Sequence, residues 1–167
     1  SMICGWNSGD SRSDEIKVFD YIYGILHCPE YRKTHAELLK TAFPRVPFPA
    51  NPGVFSRVSA QGESLRRLHL MEDSAVGIAQ YPFEGEGHCV VVKPRFVDGC
   101  VWINASQYFA GVPLVAWEFP IGGYLPAQRW LKDRKGRVLG SGDVRHYSRI
   151  IRVLAETCRI MHEIRLA

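Results

Sequence analysis

The sequence predicts an α+β fold: N-terminal helices, then a mostly antiparallel sheet of about four or more strands, then C-terminal helices packed on it. Three observations predict this. Apolar residues recur at three- and four-residue spacing over the first third and again at the C-terminal end. Between these stretches they alternate with a period of two. The links between the alternating runs are too short for the crossover that a parallel pairing needs. No internal repeat or low-complexity tail marks a boundary, so residues 1–167 are expected to form a single domain.

The first helix carries Val18, Phe19, Ile22, Ile25 and Leu26 as its expected buried stripe, and Asp14 and Glu15 suit its N-terminal dipole. Cys28-Pro29 ends it. Pro29 fits the first turn of a second helix bearing Tyr31, His35, Leu38, Leu39, Ala42 and Phe43, which stops at Pro44. Pro44, Pro47, Pro49 and Pro52 hold an extended connector that Val46 and Phe48 are expected to anchor. A third helix turns Val54, Phe55, Val58, Leu65, Leu68 and His69 inward, and Gly62 is expected to weaken its middle. Strands are expected near 76–83, 88–96, 100–105 and 114–120, with hairpin chemistry at Glu84-Gly85-Glu86-Gly87 and at Asp98-Gly99. A short helix over about 126–135 stops at Gly136. Ser141-Gly142-Asp143 opens a last helix with Tyr147, Ile150, Ile151, Leu154, Cys158 and Met161 on its apolar side.

Composition excludes several classes. With 46% hydrophobic residues the chain can bury a real core, yet no apolar run is long enough to span a bilayer and no signal peptide is evident. Ser1-Met2 reads as an expression scar on a chain cut from something longer. Cys4, Cys28, Cys89, Cys100 and Cys158 lack any C-x-x-C spacing, which argues for reduced thiols rather than a disulfide framework. Charge is unevenly placed: ten cations and four acids after Pro120 give +6, so the first 119 residues carry −2 of the overall +4. Its focus is W-L-K-D-R-K-G-R (130–137), and such a footprint attracts a polyanion.

Motifs for chemistry are missing. There is no phosphate-cradling G-x-x-x-x-G-K-[ST] and no G-x-G-x-x-G after a strand. Cys89 beside His88 invites a nucleophile reading, but alternate strand residues face opposite ways and no pKa-lowering surroundings are expected. The six histidines form no metal signature. The basic run is the stronger signal; its plain alternative is a solvated helix face on which Asp133 pairs with Arg129 or Arg137. Arg145, Arg149 and Arg152 share one face of the last helix and could extend the same patch. Tyr108, Phe109 and Trp117 could stack on unpaired bases, although Trp117, Phe119 and Trp130 are expected in the core.

Six ordered motifs carry a family resemblance: Y-I-Y-G-I-L-H-C-P-E-Y-R (21–32), F-P-R-V-P-F-P (43–49), L-H-L (68–70), I-N-A-S-Q-Y-F-A-G-V-P (103–113), W-E-F-P-I-G-G-Y (117–124) and W-L-K-D-R-K-G-R (130–137). The series resembles the C-terminal target-recognition (specificity) domain of the type I single-polypeptide (type ISP) restriction-modification enzymes. In these, nuclease, translocase, adenine-N6 methyltransferase and specificity domain lie on one chain. The resemblance runs from about Phe19 to Ile164. The first eighteen residues and the turn at Glu84 to Gly87 match nothing in it.

The resemblance implies a bacterial, cytoplasmic DNA-binding module with no catalytic residue and no metal of its own. It would recognise double-stranded DNA, position an adenine for methylation, and license cleavage when that base is unmodified. No cofactor is implied for this segment; S-adenosylmethionine, ATP and magnesium would serve the methyltransferase and helicase/nuclease parts of the same polypeptide. Arg129, Lys132, Arg134, Lys135, Arg137 and Arg145 become candidates for gripping phosphates. Lys93, Arg95, Gln107, Glu84, Glu86 and His88 become candidates for reading bases. Two rivals stand beside this reading: a structural domain packing on its own polypeptide, and a thiol hydrolase using Cys89.

Overall fold

The computed structural model describes residues 10–78 and 80–167, so Ser1-Met2 and Cys4 lie outside the described residues. The chain divides into two compact units, one reaching to Ala75 and taking in Arg159–Ala167, the other formed by Val76–Cys158. Among the described residues no helix is long and apolar enough to cross a membrane.

The first unit is helical: α1 (Asp14–His27), α2 (Pro29–Thr34), α3 (Leu38–Thr41) and α4 (Pro52–His69). Ser13 caps α1, and Asn51 Oδ1 caps α4 by accepting the Val54 N–H at 3.0 Å. The buried face of α1 is rotated from the expected stripe. Asp20, Tyr21, Gly24 and Ile25 are buried, while Val18, Phe19 and Ile22 face outward. Asp20 decides the rotation: fully buried, it accepts hydrogen bonds from Arg12 Nη1 at 2.7 Å and Arg66 Nε at 2.6 Å. Gly62 has a use the helix propensity scale hides. A Cβ there would collide with the Asp20 carbonyl of α1, so the glycine, at a cost of about 1 kcal/mol in propensity, permits the two helices to touch.

The expected second helix is two short ones. Thr34 Oγ1 donates to the Glu30 carbonyl and His35 Nδ1 lies 3.1 Å from the Tyr31 carbonyl, side-chain groups competing for acceptors that a continuing helix would use. The proline connector is anchored differently from expectation. Phe48 is 97% exposed; the Tyr21 and Tyr31 hydroxyls instead donate to the carbonyls of Pro47 and Arg45. Prolines offer no N–H, so their segment is fastened through its acceptors.

The second unit begins at the end of a short helix, α5 (Asp73–Val76), where the sequence suggested a strand. Its sheet comprises β1 (Phe83–Glu84), β2 (Arg95–Val97), β3 (Cys100–Trp102) and β4 (Tyr108–Phe109), all antiparallel, in the order β1-β4-β3-β2. Asp98-Gly99 turns the β2–β3 hairpin as expected, both residues at positive φ (49° and 74°). The Glu84–Gly87 turn makes no hairpin, because β1 pairs with β4 instead. The expected strand at 114–120 is a single helical turn, α6 (Leu114–Trp117). Ala116 and Trp117 are adjacent and both buried, which strand alternation forbids. Then come α7 (Pro126–Lys132) and α8 (Ser141–Glu163), the last residues of α8 counting with the first unit. Val101, Ile103, Phe109, Leu131, Tyr147, Ile151 and Leu154 form the centre of the core, with Trp117 in it and Phe119 and Trp130 packed against it. Tyr147 donates its hydroxyl to the Ala127 carbonyl at 2.8 Å, and burial pushes its pKa up.

Candidate nucleic-acid interface

Short strands in register give the sheet of the second unit two unlike faces. One cross-strand row, Phe83–Phe109–Val101–Phe96, is apolar and turned to the core. The neighbouring row, Glu84–Tyr108–Trp102–Arg95, alternates to the other face and runs across all four strands. Its members touch in sequence. Tyr108 donates its hydroxyl to Glu84 Oε2 at 2.9 Å, the Tyr108 and Trp102 ring centroids are 4.4 Å apart, and the Arg95 guanidinium sits 5.1 Å from the Trp102 ring centre. The Glu84 carboxylate, by holding the phenolic proton, keeps the Tyr108 pKa above its ordinary value. The row therefore has a cationic edge on β2, aromatic rings in the middle and an acidic edge on β1.

Beside this row lies a concavity of about 520 Å³. Arg95, Lys93 and His88 line it with Val90, Val92 and Gly87, and the loop Asn104-Ala105-Ser106 closes it. Asn104 builds the loop: its Oδ1 accepts the N–H groups of Ser106 and Gln107, and its Nδ2 donates to the Val90 carbonyl. The glycine-rich turn from Glu84 is explained by proximity. A Cβ on Gly85, which sits at φ 93°, would strike the Ser106 carbonyl, and Ser106 Oγ donates to the Glu86 carbonyl at 2.7 Å.

The basic run adjoins the same concavity through backbone bonds. Val91 N–H donates to the Arg137 carbonyl at 3.0 Å, Gly136 N–H to the Val91 carbonyl at 2.7 Å and Leu139 N–H to the Cys89 carbonyl at 2.8 Å. The segment carrying Arg137 is thus laid against the stretch 89–91 that leads into Val92 and Lys93. The cations of this region are not equivalent. Arg129 pairs with Asp133 at 3.2 Å. Arg134 folds over Trp130, 3.7 Å from the ring centre, and donates to the Trp130 carbonyl at 3.0 Å. Among the described residues Lys132, Lys135, Arg137 and Arg145 are exposed and pair with no acid.

Five of the candidate base readers therefore meet on or beside one surface: Glu84, Glu86, His88, Lys93 and Arg95. Gln107 does not reach it. It is 3% exposed, its Oε1 accepts from Cys89 N–H at 2.8 Å and from Asn104 Nδ2 at 3.0 Å, and its Nε2 donates to Cys89 Sγ at 3.4 Å. It braces the loop. Cys89 itself sits at φ 57° in this brace, and among the described residues no imidazole is hydrogen-bonded to its sulfur. Among the described residues no three His, Cys, Asp or Glu side chains are placed to hold a metal. Trp102, Asn104 and Ser106 escaped the sequence reading. The two-residue turn at Asp98-Gly99 could have exposed the first, since it fixes Arg95 opposite Trp102 by counting.

The family model of the Type ISP C-terminal specificity domain matches residues 6–163. The chain belongs to that family. Similar solved structures include a DrdV–DNA complex (24% identity, TM-score 0.70, 91% of this chain and 18% of that one). A nuclease-deletion mutant of the Type ISP restriction-modification enzyme LlaGI, in complex with a DNA substrate mimic, is 21% identical with TM-score 0.67, over 90% of this chain and 14% of that one. The ATP-dependent Type ISP enzyme LlaBIII bound to DNA is 19% identical with TM-score 0.67, over 93% and 11%. The specificity domain thus spans 11 to 18% of those chains. No curated protein matches it.

Proposed function

We propose that this specificity domain binds duplex DNA sequence-specifically and so positions one adenine for the methyltransferase of a longer restriction-modification polypeptide, licensing cleavage when that base is unmodified. The observation that carries the reading is the backbone pairing of Arg137 with Val91. It sets unpaired cations directly beside a concavity lined by Lys93, Arg95 and His88. Phosphate contacts position a protein on DNA and base contacts specify the site, and here groups suited to each lie side by side. Lys132, Lys135, Arg137 and Arg145 grip phosphates; Arg129 and Arg134, engaged within the protein, contribute little. S-adenosylmethionine, ATP and magnesium would be held by other parts of the parent polypeptide.

The test is removal of charge in the full-length protein. The triple variant Lys132→Ala, Lys135→Ala, Arg137→Ala should weaken binding to all duplexes about equally. It should also reduce the slope of log affinity against log salt by up to ~3, about 0.9 for each phosphate no longer neutralised. Absence of any duplex binding at low salt would sink the reading. A second reading, a domain that packs on other parts of its own polypeptide, is favoured by Phe43 and Phe48, each 97% exposed. It predicts that the triple variant leaves DNA binding by the parent unchanged.

A further inference from the structure

We propose that Arg95 is the guanine-reading residue of this domain, that Trp102 is the residue that positions it, and that the β2–β3 ribbon is the element that enters the major groove. The proposal rests on the DNA-recognition reading above and goes beyond it by naming the base and the readers.

Three arginines, Arg95, Arg129 and Arg134, each lie over an aromatic ring, and they differ in what else they bind. Arg129 also pairs with Asp133, and Arg134 also donates to the Trp130 carbonyl. Among the described residues Arg95 has no hydrogen-bond acceptor, so its N–H fork remains to be satisfied at an exposed position lining the concavity. A guanidinium resting on a ring is already oriented, and less freedom is lost when it makes two parallel hydrogen bonds. In the major groove guanine presents N7 and O6, the two acceptors such a fork matches.

The ribbon's dimensions agree. A four-stranded sheet is about 14 Å across at about 4.8 Å per strand gap, wider than the roughly 12 Å major groove. A two-stranded ribbon fits. β2 is an edge strand, so β2 and β3 can enter while β4 and β1 stay outside. The acidic edge at Glu84 and Glu86 is then kept away from the bases. Trp102, opposite Arg95 in the register, is fixed from behind by Tyr108, so the seat of the guanidinium is part of the sheet and not a loop accident.

The experiment uses the full-length protein. Binding sequences are first selected from a randomised duplex pool, then measured with each guanine replaced in turn by 7-deazaguanine, which lacks the N7 acceptor. At one guanine the wild-type protein should lose about tenfold, the scale of one charge-assisted hydrogen bond, since O6 remains. Arg95→Ala and Arg95→Lys should lose their preference at that same position and become insensitive to 7-deazaguanine there, with the preferences elsewhere intact. Trp102→Ala should blunt the same sensitivity and Trp102→Phe should restore it, while the salt slope holds. If 7-deazaguanine is tolerated at every position, or Arg95→Lys keeps every preference, the proposal is overturned although DNA recognition stands. If the wild-type protein enriches no sequence at all, the recognition reading falls with it.

Discussion

The arginines that hold the helices of the first unit and the cations beside the concavity of the second are used in opposite ways. In the first, Arg12 bonds to Asp10, Asp20 and the Ser59 carbonyl, Arg66 closes on Asp20, Arg67 on Glu72 and Ser74, and Arg57 on the carbonyls of Arg165 and Ala167. Each of these guanidiniums is held by the protein's own oxygens. In the second, Lys93, Arg95, Lys132, Lys135, Arg137 and Arg145 stand without an acidic partner among the described residues. A charge already neutralised by a carboxylate at 2.6 to 2.7 Å has little left to offer a phosphate. Pairing, more than the count of cations along the chain, tells where a polyanion can be held.

Three measurements would break or sharpen this contrast. The largest effect belongs to Asp20→Ala, which strips two half-hidden guanidiniums of the carboxylate that compensates them. A loss of about 3–5 kcal/mol in urea unfolding is expected, with the salt dependence of DNA binding unchanged in the protein that remains folded. A flattened salt slope would place the first unit's charges on the DNA as well and erase the contrast.

Acid is the next probe. Burial, reinforced by the neighbouring His27, lowers the pKa of His69 from 6.5 to about 4, and its Nδ1 lies 2.6 Å from the Tyr23 hydroxyl. Between those values the unfolded chain binds a proton that the folded chain refuses. The contribution of this group is therefore complete above pH 6.5 and is lost as pH falls towards 4. With solvent screening of a half-buried ring the loss is about 1–2 kcal/mol. His69→Gln should remove this part of the acid dependence, measured as melting temperature against pH. An unaltered acid profile would assign the effect to other groups.

The smallest effect tests one of the engaged cations of the second unit. Arg134 is a cation of the basic run that is engaged like those of the first unit. Arg134→Ala should cost about 1 kcal/mol by removing the stacking on Trp130 and the bond to its carbonyl, while barely moving the salt slope. A drop in slope near 0.9, the value for one neutralised phosphate, would return Arg134 to the DNA-binding set.

Much of the fold could be read along the chain, and the failures have specific causes. The acidic first turn at Asp14 and Glu15, the stops at prolines and the Asp98-Gly99 turn are local chemistry, and each acts where the residues predict. The outward stripe of α1 misled because Val18, Phe19 and Ile22 carry the helical period, whereas Asp20, held by arginines remote in sequence, chooses the buried side. The strand misread at α6 is one helical turn too short to show its period. At the candidate site the residue types were legible. Gln107 shows the limit: an amide in a recognition-like motif is turned inward by Cys89 and Asn104.

By itself the sequence determined the α+β class, the basic C-terminal segment and the family to which the six motifs point. These follow from periodicity, composition and residue order, all properties of the chain as a string. Only the tertiary structure decided which cations are engaged, that Arg95 and Trp102 share one face with Tyr108 and Glu84, and that Arg137 lies against Val91. Those facts depend on which strand pairs with which. The order β1-β4-β3-β2 arises from packing phenylalanines and valines onto a shared core, an interaction between residues far apart in sequence that no local pattern encodes.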